Sequence, residues 1–419
     1  MKRRMAGLSI CVVALLIATS AGAEMEPVKV GFGSLQISGL FQAGFNYYIG
    51  DEIASKRDVD LNRDGQIAAD GSESNIPAAV DRASDMEFII RRARIAFKGN
   101  VVDEHIGYFF QTDVQDGRVS LLDTRLAFSY IPYTTISIGR FLPKFTYWMP
   151  MNPAYTYLID LPQMNSFLGV QRQTGVNVGV FHKLFEVDFG AFNGRNEPNI
   201  SINPADRAGE PLGTNTQDRW NDENTAKDAY ASFAVKPIDG LRIFGGYWYG
   251  MPLDYFEEKD GDLTAHNAKV GIVNGGVAYL AHFGLHLWGE VMSQSVRFDS
   301  SPSTDPNGER PNDTFEYSAL SWYAMAGYDF KNFGVPFEVL ARYDWLDPDT
   351  TNDEKTHGDK DIQTRITGGF NYYIEDFFAV LAVNYVYKAE EYELLDKKLE
   401  EDQTGVFNDE LQLQVQVHF

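Results

Sequence analysis

Apolar and polar residues alternate without a break in the last nine residues of the chain. From Leu411 to Phe419 every odd position is apolar and every even position is polar. A period of two predicts a β-strand with one apolar face and one polar face.

The same alternation recurs upstream and predicts sixteen strands. Short links alternate with long ones, and the long links include 49–85, 145–171, 195–225 and 299–314. The predicted strands are 34–48, 86–101, 105–115, 121–131, 135–144, 172–182, 185–194, 226–236, 240–251, 268–282, 284–298, 315–330, 335–346, 362–374, 377–388 and 409–419. An even strand count with short turns at one end and long loops at the other is typical of transmembrane barrels.

A sheet of this kind must close on itself in lipid, because unpaired backbone groups cannot face hydrocarbon. Sixteen strands leave a water-filled lumen, whereas about eight would be filled by side chains. We therefore expect an all-β fold, one antiparallel up-and-down transmembrane β-barrel formed by residues 24–419.

Composition agrees with a barrel better than with the alternative, a soluble exported protein. The chain has 29 Phe, 22 Tyr and 37 Gly, a mean hydropathy of −0.28, and no long apolar run after its N-terminus. Barrel strands average to neutral hydropathy because lipid-facing and lumen-facing residues alternate.

The N-terminus predicts a secretory signal peptide at 1–23. Lys2, Arg3 and Arg4 precede an apolar run at 8–18, and Ala21-Gly22-Ala23 forms a small-residue cleavage site. Cys11, the only cysteine, lies within this segment. The mature chain would have no thiol for a disulfide, a nucleophile or a metal site.

Charge and motifs exclude several functions. Loss of the three signal-peptide cations from 36 basic residues leaves 33 against 59 acidic ones, a net charge of −26, which argues against a nucleic-acid partner. Much of the acid lies in loop-like runs such as 254–262 and 390–402. The seven histidines form no metal pattern, and no nucleophile elbow or P-loop is present, so we do not expect an enzyme.

Three stretches carry a family resemblance. They are an R-R-A-R core within 88–99, the run Gly139-Arg140-Phe141-Leu142-Pro143-Lys144-Phe145, and Arg172-Gln173-Thr174-Gly175-Val176. In this order they resemble the phosphate-selective porin (O/P) family. In addition, Phe419 at the end of an alternating strand resembles the C-terminal signature of bacterial outer-membrane barrels.

The resemblance implies a homotrimer of 16-stranded channels in the bacterial outer membrane that pass small anions, phosphate among them. It also implies that arginines of the R-R-A-R strand and of the constriction region hold the anion. Carried over to this sequence, they are Arg91, Arg92, Arg94, Arg140 and Arg172. Pro143 and Lys144 are exchanged relative to the family pattern, and Lys144 is a further candidate.

Strand parity gives an independent view of the R-R-A-R strand. It places Ile90, Arg92, Arg94, Ala96 and Lys98 on one face, where the three cations would form a basic column along the lumen. Arginine binds phosphate oxygens through a planar fork and keeps its charge. Arg91 falls on the opposite face and would need a bulge, a rim position or an acidic partner across a subunit interface.

An alternative is that these arginines only neutralise wall acids. Parity places seven acids towards the lumen: Asp113, Asp123, Glu186, Asp188, Glu290, Glu338 and Asp344. Four further arginines could answer them: Arg125, Arg242, Arg342 and Arg365. A mixed wall would favour a general or mildly cation-selective porin. A non-conducting adhesion or anchoring barrel is the alternative from another class.

The segment 145–171 is too apolar to project into water, with runs such as Thr146-Tyr147-Trp148-Met149-Pro150-Met151. We expect it to fold into the barrel as a constriction loop, its aromatics packing against the wall; covering a neighbouring subunit is the alternative.

The first long loop resembles half of a calcium-binding loop. Its candidate ligands are Asp60, Asn62, Asp64 and Asp70, with Gly65 at the turn, but the usual closing Glu is replaced by Gly71. A solvated acidic loop is the alternative, and no other cofactor is expected. We also expect contacts with outer-membrane lipid and with lipopolysaccharide, bridged by divalent cations at the acidic loops.

Overall fold

The computed structural model describes residues 28–30, 33–50, 84–101, 105–115, 118–194, 226–259, 262–298, 315–348, 350, 362–391 and 405–419. The predicted signal peptide and the predicted calcium ligands Asp60, Asn62, Asp64 and Asp70 lie outside these residues.

The described residues form nineteen β-strands. They are β1 (Val28–Val30), β2 (Gly33–Gly50), β3 (Ser84–Asn100), β4 (Ile106–Gln115), β5 (Arg118–Phe128), β6 (Thr134–Phe141), β7 (Gln173–Phe181), β8 (Phe185–Phe192), β9 (Asp228–Val235), β10 (Leu241–Gly250), β11 (Leu253–Lys259), β12 (Asp262–Asn267), β13 (Lys269–Leu280), β14 (Leu285–Phe298), β15 (Phe315–Asp329), β16 (Phe337–Asp347), β17 (Gln363–Glu375), β18 (Ala379–Glu391) and β19 (Gly405–His418).

Sixteen of these strands close into one barrel. From β2 to β10 and from β13 to β19, each strand pairs antiparallel with the next, and β10 pairs directly with β13. The last strand returns to the first, with Leu413 of β19 opposite Phe45 of β2. The predicted closed antiparallel barrel of sixteen strands is confirmed, while β1 adds a short pairing to the start of β2.

β11 and β12 form a separate hairpin in the link between β10 and β13, where the sequence analysis placed a loop. Lys259 pairs with Asp262, and the two residues between them in the sequence are Asp260 and Gly261. Asp-Gly is a favoured pair in two-residue hairpin connections, and this local signal outweighs the acidic composition of the segment.

The outer face of the barrel is an apolar belt. Phe88 is 88% exposed and Val119 71%, and in β19 the odd residues Leu413 and Val415 face outward. The alternate residue Gln412 is buried on the inside. Lipid can solvate such a belt and water cannot, so the wall is that of a transmembrane barrel. Among the described residues, no helix is long and apolar enough to cross a membrane.

The hydrophobic core lies inside the barrel, between one loop and the wall residues that it covers. We call residues 142–171, between β6 and β7, the inner loop; it contains a 3₁₀ turn at Pro153–Tyr155 and the short helix α1 (Gln163–Phe167). Its buried apolar residues pack against wall residues that are also buried. The loop residues are Phe145, Trp148, Leu158, Met164 and Leu168, and the wall residues include Trp248, Ile272, Trp288, Met292 and Tyr323. The predicted in-folding is confirmed.

Candidate functional site

The inner loop is fixed to one half of the wall, formed by β10 and β13–β19, which we call the covered half. Trp148 Nε1 donates to the hydroxyl of Tyr323 over 2.8 Å. Arg342 donates to the backbone carbonyls of Asp160, over 2.8 Å, and Leu161, over 3.3 Å. These bonds and the apolar cluster hold the loop against the covered half.

Wall amides add further bonds to loop carbonyl oxygens. Asn274 donates to Phe145 O over 2.6 Å, and Asn371 donates to Tyr157 O over 2.6 Å. Gln416 of β19 donates to a third carbonyl, that of Ala154, over 2.9 Å. The inward-facing amides of the covered half therefore bind the loop's backbone.

On its opposite side the inner loop leaves a cavity of about 400 Å³. The facing wall, formed by β3–β6 and the residues just before β7, is called the basic half. Four arginines line the cavity, Arg92, Arg94, Arg125 and Arg172, together with the carboxylate of Asp123. We call this space the arginine cavity.

A β-bulge in β3 directs the arginines inward. Gln42 pairs with Arg92 and Ala43 pairs with Ile90, so Arg91 is the additional residue of the bulge. Residues before the bulge are therefore inverted relative to strict parity. Ile90, predicted on the lumenal face, lies outside and is 50% exposed. That prediction is wrong because the bulge interrupts the period of two.

Arg91 faces the lumen through this bulge. Its guanidinium donates to Asp160 of the inner loop over 3.0 Å and to Asn46 over 2.6 Å. A Cβ at Gly44 would lie 3.6 Å from Arg91 Nε and 3.5 Å from Cγ2 of Ile89. Arg91 and Ile89 thus share the inner face, and Arg91 ties the basic half to the loop rather than lining the cavity.

Arg92 and Arg94 both line the arginine cavity but differ in their partners. Arg94 Nε donates to Asp113 over 2.9 Å, and the other oxygen of this carboxylate accepts from the backbone N–H of Ala93. Arg92 donates to the side-chain oxygen of Gln42 over 2.8 Å. Within the described part of the chain no carboxylate lies within 4 Å of Arg92, so its charge is less compensated.

Arg172 and Arg125 complete the cationic lining. Arg172 Nε donates to Asp123 over 3.1 Å. The Arg125 guanidinium lies 5.9 Å from the ring of Phe109 and 5.7 Å from that of Phe141, a cation–π geometry. The sequence placed Arg125 towards the lumen but only as a partner for wall acids. Its aromatic neighbours come from two other strands, and no local pattern indicates them.

Arg140 lies apart from the arginine cavity. It is only 4% exposed and does not line that cavity, and its neighbour Gly139 pairs with Arg125 of β5. Gly139 has a φ of 135°, and a Cβ there would lie 2.0 Å from the carbonyl oxygen of Thr124. The glycine of this motif is therefore required by the backbone's close approach to β5.

Lys144 and Lys98 also lie outside the arginine cavity. Lys144 Nζ lies 3.7 Å from the ring centroid of Phe181, at an adjacent cavity of about 250 Å³ that Arg125 and Asp188 also line. Lys98 shares the parity of Arg92 and Arg94 towards the end of β3. Of the seven predicted residues, the structure groups Arg92, Arg94 and Arg172 around the cavity.

The wall acids are mostly buried and hydrogen-bonded. Six of the seven predicted ones are below 8% exposure: Asp113, Asp123, Asp188, Glu290, Glu338 and Asp344. The seventh, Glu186, pairs with Lys236 and Arg242. Nowhere in the described ranges do three His, Cys, Asp or Glu side chains come together as a metal site.

Two tyrosines of the inner loop, Tyr147 and Tyr157, add no charge to the lumen. Burial raises the pKa of Tyr147 and of Tyr157, so both hydroxyls stay protonated at neutral and mildly basic pH. The electrostatic character of the arginine cavity is therefore set by its arginines and the nearby aspartates.

Comparison with solved structures finds this fold in bacterial outer-membrane channels. The channel DcaP of Acinetobacter baumannii aligns with a TM-score of 0.58 and 10% identity, over 95% of this chain and 100% of that one. An anion-selective porin from Comamonas acidovorans gives 0.55 and 12%, over 92% and 100%. OmpT of Vibrio cholerae in its trimer form gives 0.53 and 10%, over 93% and 100%.

At these identities the likeness establishes the fold alone. No family model matches the chain, and no curated protein matches it by sequence. The resemblance to phosphate-selective porins therefore rests on the three motifs. The chain has the closed sixteen-stranded transmembrane β-barrel of bacterial outer-membrane porins.

Proposed function

We propose that this chain is a porin that lets small hydrophilic solutes and ions diffuse passively through a water-filled channel and that favours anions, phosphate among them. The apolar belt and the porin fold locate the barrel in the bacterial outer membrane. The observation that carries the proposal is the lining of the arginine cavity, where four arginines meet the carboxylate of Asp123.

The charge of the arginine cavity supports the anion preference, although the chain as a whole is acidic. Asp113 lies behind the lining and Asp123 within it, so four arginines and two aspartates leave a surplus of two positive charges. Rings of basic side chains favour anions at a constriction. The chain's net charge of −23 bears little on this, because exposed charges beyond about 10 Å are largely screened in salt.

We extend the proposal to a homotrimer embedded in outer-membrane lipid and lipopolysaccharide. The Vibrio cholerae protein is described in a trimer form, and closed cyclic symmetry is common in oligomers. Chemical crosslinking in native outer membranes and unheated electrophoresis would each give a trimer band. Calcium at Asp60, Asn62, Asp64 and Asp70 stays a prediction from the sequence.

The first test is the reversal potential of the purified protein in a planar bilayer under a KCl gradient, repeated with phosphate on one side. We expect chloride preference and a conductance reduced by phosphate. The double variant Arg92→Gln/Arg125→Gln removes the two arginines without a carboxylate within 4 Å. It should lower the chloride-to-potassium permeability ratio roughly three- to tenfold. One charge at about 10 Å contributes up to about 1.7 kcal/mol at an effective dielectric constant of about 20, and salt in the channel screens much of this effect.

Arg365→Gln is the matched control, because Arg365 lies on β17 of the covered half, opposite Asp344. It should leave the permeability ratio unchanged. Potassium preference in the wild type would favour a general or cation-selective porin, and the absence of channel steps would favour an adhesion or anchoring barrel. Equal shifts in the double variant and the control would refute the role of the arginine cavity.

A further inference from the structure

The arginine cavity has two chemically different sides. The basic half contributes Arg92, Arg94, Arg125 and Arg172, whereas the inner loop opposite contributes neutral side chains, both polar and apolar. Its polar lining residues are Asn152, Thr156, Asn165, Ser166 and Gln171. Five apolar lining residues are only half-buried and form what we call the apolar face: Leu142, Pro150, Met151, Pro153 and Leu161. A solute passing between the two sides meets guanidinium groups on one flank and hydrocarbon, interrupted by neutral polar groups, on the other.

An inorganic anion gains nothing from the apolar face. Phosphate and chloride are polar over their whole surface, and an apolar wall cannot replace the water they would lose against it. The arginines and the loop's neutral polar groups can bind such an anion, but Met151 and Leu161 contribute nothing to its binding.

The apolar face is distinct from the side chains that pack the loop against the wall. Trp148 and Met149 line the cavity but are 3% and 9% exposed, which is expected of side chains that pack against the wall. Met151 and Leu161 touch the same apolar cluster yet keep part of their surface on the cavity side. Methionine is flexible and polarisable and adapts to apolar groups of different shape.

The arginines opposite suit a carboxylate. Arg92 is bound to the neutral amide of Gln42, and Arg125 lies over two phenyl rings, so neither guanidinium is bound to a carboxylate within 4 Å among the described residues. Each retains N–H donors for a planar oxyanion, which arginine binds in a bidentate manner. The volume of about 400 Å³ lies within the range of small-molecule sites.

We infer that the arginine cavity selects organic carboxylates with an apolar body, such as aromatic or branched aliphatic monocarboxylates, over inorganic anions. This inference rests on the proposed anion channel and names its substrate class. The carboxylate contacts Arg92 and Arg125, while the apolar body lies against Met151 and Leu161. Both contacts act at once only for a solute that carries the two kinds of surface.

The test compares sodium benzoate, sodium acetate and sodium phosphate as blockers of single-channel KCl current. Acetate has the same charged group as benzoate but only one methyl group. Benzoate should reduce the current by half at roughly a tenfold lower concentration than acetate, since burying part of the ring removes apolar surface from water. Phosphate should block no more strongly than acetate.

Variants locate the apolar contact. In Met151→Gln and in Leu161→Gln the benzoate-to-acetate ratio should fall about threefold or more, while acetate block changes little. Leu184→Gln is the matched control, because Leu184 is 52% exposed in the turn between β7 and β8, away from the cavity. It should keep the wild-type ratio. The two single variants report independently, so loss of folding in one leaves the other informative.

The KCl reversal potential, measured on the same bilayers, distinguishes the two proposals, because it reports anion preference without any organic solute. Chloride preference combined with equal block by benzoate and acetate would overturn the inference and leave the proposed function intact. An unchanged benzoate ratio in both Gln variants would also overturn it. Potassium preference would overturn the proposed function, and this inference with it.

Discussion

The basic half and the covered half of the wall both carry inward charged groups, but they differ in whether these groups face a cavity. In the basic half, Arg92 and Arg125 face an open cavity. In the covered half, Glu290, Glu338 and Asp344 are at most 3% exposed beneath the inner loop. In the proposed channel, a moving solute would meet only the first set. Where the loop lies, rather than how many acids the wall contains, therefore determines the charge of the passage.

Each acid of the covered half has its own partners. Asp344 accepts from Arg342 Nε over 2.6 Å and from the backbone N–H of Gln163 over 3.1 Å. Glu338 accepts from the hydroxyl of Tyr373 over 2.6 Å and lies 2.8 Å from His286 Nδ1. Such satisfied carboxylates stabilise the wall and the loop, and they are not available to attract cations.

Removing Arg342, which binds two carbonyl oxygens of the inner loop, should expose the acids of the covered half and so reduce the difference between the two halves. Arg342→Ala leaves Asp344 buried with one partner fewer and frees two loop carbonyls. Breaking a buried ion pair from one side costs about 3–5 kcal/mol. We expect a larger and noisier single-channel conductance, a weaker anion preference as the covered acids become accessible, and a lower unfolding temperature of the barrel.

Arg365→Ala is the control for this prediction, because Arg365 pairs in register with Asp344 but has no hydrogen bond to the inner loop among the described residues. Single-channel recordings and heat-dependent migration in electrophoresis give both readouts. A quiet channel of wild-type conductance in Arg342→Ala would contradict the anchoring role.

The bulge in β3 can be tested by placing a lysine at each of two neighbouring positions in turn. Strict alternation would turn Ile90 inward and Ile89 outward, whereas the structure has the reverse. Ile90→Lys should therefore destabilise the barrel by up to roughly 2–4 kcal/mol, the effect of lysine on a lipid-facing position. Ile89→Lys, its matched control, should be tolerated and should add to the basic lining. Urea unfolding in lipid vesicles measures both, and the opposite ranking would show that the bulge is absent.

The smallest effect is expected from the aspartate within the basic half. Asp123→Asn removes the carboxylate that neutralises Arg172 but keeps a hydrogen-bond acceptor. The anion-to-cation permeability ratio should rise roughly two- to threefold, since the cavity gains one net charge that remains partly screened. Asp239→Asn in an exposed turn is the control. A fall in the ratio would mean that Arg172 needs its partner in order to face the cavity.

The sequence was sufficient for the barrel because its signal is repeated. The sixteen runs alternate between residues that face the inside and apolar residues that face outward, as Gln412 and Leu413 do. Each run therefore indicates the same structure, a strand of a transmembrane barrel. The in-folding of the inner loop was equally predictable, since Trp148 and its apolar neighbours could not face water.

The arrangement of the arginines was only partly predictable. The orientations of Arg91 and Ile90 depend on one additional residue in β3, which shifts the phase of the alternation, and the strict period of two assumed for this strand did not include that shift. The surroundings of Arg125 depend on Phe109 and Phe141, which come from different strands. Arg140 matched the family motif by position, but it is buried outside the lining of the arginine cavity. Contacts across strands require the register, and the sequence alone does not contain it.

In addition to the apolar cluster, the wall binds the main chain of the inner loop, through carbonyl oxygens of Phe145, Ala154, Tyr157, Asp160 and Leu161. Carbonyls are present whatever side chain a residue carries. Mutations at cavity-facing positions such as Met151 therefore leave these five bonds in place. During evolution, or in the laboratory, such a barrel can acquire a new solute preference one substitution at a time while its architecture stays the same.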